Sequence, residues 1–284
     1  MKNITTLFLT LLFSFSILAN VAPSERNALV KLYEKTNGSQ WVIKWDLSKP
    51  VSTWYGVKLQ DEKVVSLNLA NNNLVGEIPY DIAELVSLQE LDLHKNHLSG
   101  EIPSIVGNLK ELKILDISFN SLTGAIPVSV CEMNKLQELA LYMNGLSGEL
   151  PEQIGNLKNL EVLSLFNNEI TGQIPSSLYS VKTLKTLLLN SNKLIGELGP
   201  EVANLKSLEN LSLFDNKMIG EVPVELSNLN NLKEMNISYN LFYGKVSKNL
   251  AQLDTLNMTM LNNNGATVLL DVNQDKNKAI VSED

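Results

Sequence analysis

At 284 residues, with 44% hydrophobic and 19% charged side chains, the chain has the composition of a folded globular protein. Its net charge of −8 and its single arginine, Arg26, argue against nucleic acid, an anionic membrane or a polyanionic ligand as partner. One cysteine, Cys131, excludes an intramolecular disulfide and stands at a small-residue position expected to face inward.

Residues 1–22 pair Lys2 with an apolar run from Leu7 to Ala19 and end in small residues. That is the pattern of a secretory signal peptide, with cleavage expected near Ala19 or Ala22. The run is short for a membrane span, no later stretch is longer, and no cysteine marks a lipid-anchor junction. The expected location is therefore outside the cell or at its surface, with no membrane span.

Residues 23–63 read as an amino-terminal cap. Pro23-Ser24-Glu25-Arg26 signals a helix start with Ser24 as N-cap, followed by an apolar stripe at Ala28, Leu29, Leu32 and Tyr33. Asn37-Gly38 signals its end. All three tryptophans, Trp41, Trp45 and Trp54, follow, and they are expected to cover the apolar end of what comes next.

Residues 64–265 repeat one phrase. Leu88 to Glu111, LQELDLHKNHLSGEIPSIVGNLKE, carries the skeleton L-x-x-L-x-L-x-x-N-x-L-x-G-x-I-P, and the skeleton returns at a period of 24 residues. Its asparagine runs in register from Asn72 and Asn96 to Asn264, and its glycine from Gly76 to Gly244. A fixed period of this length indicates a solenoid of about nine coils. The alternating L-x-L predicts a short strand, and parallel neighbours would form one continuous sheet. The asparagines predict a buried amide column that satisfies backbone groups at each turn, and the glycines a tight bend. Isoleucine-proline fixes extended or turning backbone before the convex segment.

These residues resemble the plant-specific class of leucine-rich repeat, over about 200 residues. The resemblance implies a right-handed α/β repeat solenoid, a horseshoe with a parallel concave β-sheet. The cap, with its N-G-x-x-W and W-Y-G-V phrases, lacks the paired cysteines of plant members and resembles the caps of bacterial and protist ones. Three positions depart from the repeat: Gly199-Pro200 shifts the proline, Lys245-Val246-Ser247 lacks it, and Thr259 replaces a core leucine near the end.

Residues 266–284 read as a carboxy-terminal cap and tail, with Ala266–Leu270 apolar enough to lie over the last coil. Asp271-Val272-Asn273-Gln274-Asp275 opens like a calcium loop, yet the turn glycine is missing, so a solvated tail is expected.

The resemblance places ligands on the concave face. Carried onto this chain, that face holds Asp92, His94, Phe119, Tyr142, Phe166, Phe214 and Tyr239. Exposed rings among acids and amides suit a protein partner or a sugar. The expected function is a secreted, non-catalytic recognition module that binds a protein partner through this face; a carbohydrate- or cell-surface-binding adhesin using the rings is the alternative. Catalysis is not expected. His94 lies among Glu90, Asp92 and Asp116, but no nucleophile motif, metal-binding H-E-x-x-H or phosphate-cradling loop accompanies it, and no metal or cofactor is expected.

Overall fold

The computed structural model describes residues 21–273 except Thr255, Asn257 and Asn263. The expected signal peptide lies almost wholly outside this range, as do Gln274 and Asp275 of the calcium-like phrase.

Each repeat sends its central leucine inward, and that side chain finds its burial only against the copies before and after it. The L-x-L segments therefore line up as a sheet. Eight parallel strands, from Lys63–Asn68 to Glu234–Asn236, follow one another in chain order, and Val57–Gln60 closes the amino-terminal edge antiparallel. Register never slips: Glu90 pairs with Ile114, Ile114 with Glu138 and Glu138 with Val162. The inward leucines belong to one continuous core cluster running the length of the array.

Behind the sheet each repeat bends at its asparagine. Asn168 is typical: its Nδ2 donates to the carbonyls of Leu165 and of Leu141 in the coil before, and its Oδ1 accepts from Leu146 N. Asn96, Asn120, Asn144, Asn192 and Asn216 repeat the scheme. Asn72 has no earlier repeat and uses the cap instead, accepting from Ile43 N and donating to Ile43 O. Among the described residues, no buried side-chain nitrogen or oxygen is left without a partner.

A second, shorter parallel sheet follows the bend, which the sequence reading treated only as a turn. Val75–Glu77, His97–Glu101, Ser121–Gly124, Gly145–Glu149 and Glu169–Thr171 make up its five strands. Gly100, at φ 77°, shows why glycine recurs here: a Cβ would meet the Glu77 side chain of the previous coil at 3.1 Å. The Pro103-type prolines then start single 3₁₀ turns, Ser104–Asn108 among them, which line the convex side.

At the amino-terminal end the helix spans Pro23–Lys35, and its N-cap is Ala22, not Ser24. Proline takes the first helical position, where its missing N–H costs nothing, and this pushes Ser24 into the first turn. The helix ends at Thr36, and it is Asn37 that adopts the left-handed backbone (φ 54°). Trp41, Trp45 and Trp54 are buried and pack in series, Trp41 edge-on to Trp45 and Trp45 stacked on Trp54 with centroids 4.8 Å apart. Glu25, also buried, accepts from Val64 N and ties the helix to the first strand.

At the other end, Ser247 stands where a proline is missing and caps the helix Lys248–Leu253, accepting from Leu250 N. Buried Asp254 accepts from Ile237 N and Ser238 Oγ, replacing the contacts of a further strand. Thr259–Leu261 does not join the large sheet; it pairs antiparallel with Thr267–Leu269. Of the apolar segment expected to cover the last coil, only Leu270 is buried, because the hairpin carries Val268 and Leu269 outward. Asp271–Asn273, the start of the calcium-like phrase, is a strand paired with Lys245–Ser247. Cys131 is buried, and burial raises its thiol pKa to about 11, so it stays protonated and inert at neutral pH.

Candidate ligand-binding face

Residues flanking each central leucine point away from the core, and the in-register pairing stacks them into columns across the concave sheet. One column runs Ser66, Glu90, Ile114, Glu138, Val162, Thr186; the next runs Asn68, Asp92, Asp116, Ala140, Ser164, Leu188. The first coils therefore carry carboxylates, the middle ones carry apolar and neutral groups, and a carboxylate returns at Glu234 on the last strand.

The carboxylates are held in place. Asp92 accepts from Asn68 Nδ2 at 2.8 Å and from His94 Nδ1 at 2.7 Å. Asp116 accepts from both N and Oγ of Ser118, and its second oxygen lies 3.9 Å from His94 Nδ1. Ser66 donates to Glu90. Among the described residues, the only ion-pair partner of Asp92 and Asp116 is His94. Glu138 feels the excess: burial first, then Asp116, then Asp92, raise its pKa above the usual carboxylate range.

A raised carboxylate pKa favours folding at low pH, and that contribution is lost as pH rises through the shifted value. Glu138→Gln is therefore expected to raise the thermal midpoint at neutral pH and to leave it unchanged below about pH 4, where glutamate is already protonated. Melting curves at the two pH values check this; a stability gain equal at both would contradict it.

The rings form two groups. Phe119 meets Tyr142 edge-on at 5.3 Å, and Tyr142 stacks on Phe166 with centroids 4.4 Å apart. Phe214 and Tyr239 form a separate edge-on pair at 5.3 Å. Asn190 occupies the intervening coil of the Tyr142–Phe166–Phe214 column. None of the five rings sits within a strand: Tyr142, Phe166 and Phe214 lie two residues past a strand's end, and Phe119 and Tyr239 stand further along. These last two occupy the left-handed turn position just before the asparagine, with φ 50° and 57°, and reach the face from its edge. All seven residues singled out from the sequence lie on or beside this face; Asp92 and His94 gather with Asp116, and the rings lie one to several coils further on.

One feature of the face was missed. A pocket of about 300 Å³ opens between Leu188, Leu211, Met235 and Leu253, rimmed by Asn210, Ser212, Asn236 and the carboxylate of Glu234. The signal was present: in Leu187-Leu188-Leu189 the middle leucine is the outward residue of L-x-L. Leu253 comes from the terminal helix, and no repeat pattern points to it.

This face offers carboxylates, rings and a largely apolar pocket. Ser118, the hydroxyl beside His94, is buried and donates to Asp116.

Residues 63–85, 87–109 and 111–133 match the family described as "Leucine Rich Repeat", and residues 141–265 match "Leucine-rich repeat region". A chain of the BIR3–SERK2 complex from Arabidopsis thaliana is 34% identical, with 59% of this chain and 93% of that chain covered and a TM-score of 0.51. The chain belongs to the leucine-rich repeat family. Its repeats are of the plant type. The leucine-rich repeat receptor protein kinase EMS1 of Arabidopsis thaliana is 38% identical over 94 residues, 32% of this chain and 8% of the receptor. The plant peptide hormone receptor RGFR1, solved in complex with RGF2, is 31% identical with a TM-score of 0.64, covering 72% of this chain and 32% of that one. This leucine-rich repeat chain thus spans about a third or less of the length of these two receptors. Among its described residues, no helix is long and apolar enough to cross a membrane.

Proposed function

We propose that this leucine-rich repeat protein is a secreted, non-catalytic recognition module that binds a peptide or protein through its concave face. The observation that carries the reading is the ring cluster of exposed Phe119 with half-buried Tyr142 and Phe166, set along a sheet whose register is constant from coil to coil. Rings held on a rigid lattice bind with little entropy left to lose. Asp92, His94, Phe214 and Tyr239 extend the same surface, and RGFR1 in complex with RGF2 is a similar fold that engages a partner. Residues 1–22 fit export, and the cysteine-free cap, resembling those of bacterial and protist members, is held by its tryptophans instead of by disulfides.

A protein ligand is favoured over a sugar because Tyr142 and Phe166 turn one face of each ring toward the other at 4.4 Å. Sugar stacking needs open ring faces. The purified chain is expected to bind a peptide or protein on an array that also carries glycans, with no competition from added free sugar. Tyr142→Ala combined with Phe166→Ala is expected to weaken that binding at least ~30-fold, about 2 kcal/mol, as central aromatic anchors do. Unchanged affinity in the double variant, or hits confined to glycans, would sink this reading.

A further inference from the structure

The concave face is polarised along the array, and three of its features lie at fixed spacings. Carboxylates of Asp92, Asp116 and Glu138 gather on the first coils, and among the described residues His94 alone pairs with the two aspartates. The Phe119–Tyr142–Phe166 cluster follows directly. The Leu188–Leu253 pocket lies beyond it, and the outward residues of the three strands from Val162 to Ser212 carry no charge. We propose that this face reads an extended peptide in one register: an arginine or lysine side chain among Asp92, Asp116 and Glu138, and an apolar side chain in the Leu188–Leu253 pocket. The proposal rests on the peptide-binding reading above.

Charge complementarity selects the first group. Glu138, part-buried and facing the charges of Asp116 and Asp92, gains from a cation placed among the three, and a planar guanidinium can take two carboxylates while its stem lies against Tyr142. Geometry sets the spacing. Asp116 and Ser212, at the pocket rim, are four strands apart in the sheet order, or ~19 Å at ~4.8 Å per strand. An extended peptide covers that span in ~6 residues at ~3.3 Å each. The rings between the two anchors supply contact that tolerates many side chains.

The test is selection of displayed random dodecapeptides against the purified chain, with chelator present throughout. Enriched sequences are expected to share a basic residue and a leucine, isoleucine or phenylalanine about six positions apart, in one consistent order. Asp116→Asn with Glu138→Gln is expected to weaken the enriched peptide at least tenfold and, in a repeated selection, to abolish the basic preference while the apolar one persists. Leu188→Ser is expected to do the converse. Circular dichroism melts confirm that both variants stay folded. Peptides with no basic preference, or with no fixed spacing, that still lose affinity in the Tyr142→Ala, Phe166→Ala variant would overturn the register and leave the peptide-binding face standing. No enrichment at all would overturn both. Tight Zn²⁺ binding that is lost in His94→Ala, with peptide affinity unchanged in the Asp116→Asn, Glu138→Gln variant, would assign the acidic cluster to a metal and overturn the proposal.

Discussion

Trp45→Ala is expected to destabilise the amino-terminal end by ~3–5 kcal/mol, the range for truncating a buried aromatic side chain. Trp45 stacks on Trp54 at 4.8 Å and on Tyr33 at 5.9 Å, and meets Trp41 edge-on at 4.9 Å. Its Nε1 donates to Tyr55 O at 2.8 Å. Among the described residues no other ring packs on three aromatic neighbours, so alanine leaves a cavity that the cap cannot close without separating from the first coil. Coils contact only their neighbours, so the damage should stay local. Hydrogen exchange is the decisive readout: protection should fall in residues 23–69 and persist around Leu163 and Leu187. A uniform loss along the chain would show that the array unfolds as a single unit.

Asn168→Ala is expected to cost on the order of 3–5 kcal/mol, far more than an ordinary polar-to-alanine change. The amide donates to Leu141 O, Leu165 O and Phe166 O and accepts from Leu146 N, all in a buried turn. Alanine strands these backbone groups away from water, and each orphan costs about 1–3 kcal/mol. Asn168→Asp should be worse at neutral pH, because a carboxylate would face those three carbonyl oxygens. Guanidinium unfolding followed by circular dichroism measures both. A loss below ~1 kcal/mol for Asn168→Ala would mean that water replaces the amide and that the column is a packing feature only.

Much of the array could be read from the chain because a period of 24 residues assigns every inward leucine and every turn asparagine at once. The columns Glu90–Ile114–Glu138 and Asp92–Asp116–Ala140 follow from that period as soon as strands pair without slipping. Other features escaped for physical reasons. The second sheet is built from strands of three to five residues whose partners lie one coil away, so nothing within Leu98-Ser99-Gly100 distinguishes strand from turn. The left-handed position is filled by Lys95, Phe119, Met143 and Asn167 in successive coils, and with no glycine among them it leaves no signature. The carboxy-terminal hairpin and Leu253 lie where the repeat fades, so burial there had no pattern to announce it.

The asparagine column also gives the molecule a direction. Each Oδ1 takes its backbone bond from the preceding coil, as Asn144 does from Leu122 N and Asn168 from Leu146 N. A coil's turn is therefore completed by the one that follows it, and the first asparagine treats the cap as its predecessor. Excising one whole unit between two equivalent positions would reconnect every such bond with a new but identical partner, whereas removing one residue more or fewer would break the column at that point. The distance between any two marks on the concave face can thus change only in whole strand spacings of ~4.8 Å. Lineages or designers that add or drop a unit retune the length of ligand that fits without re-engineering a junction.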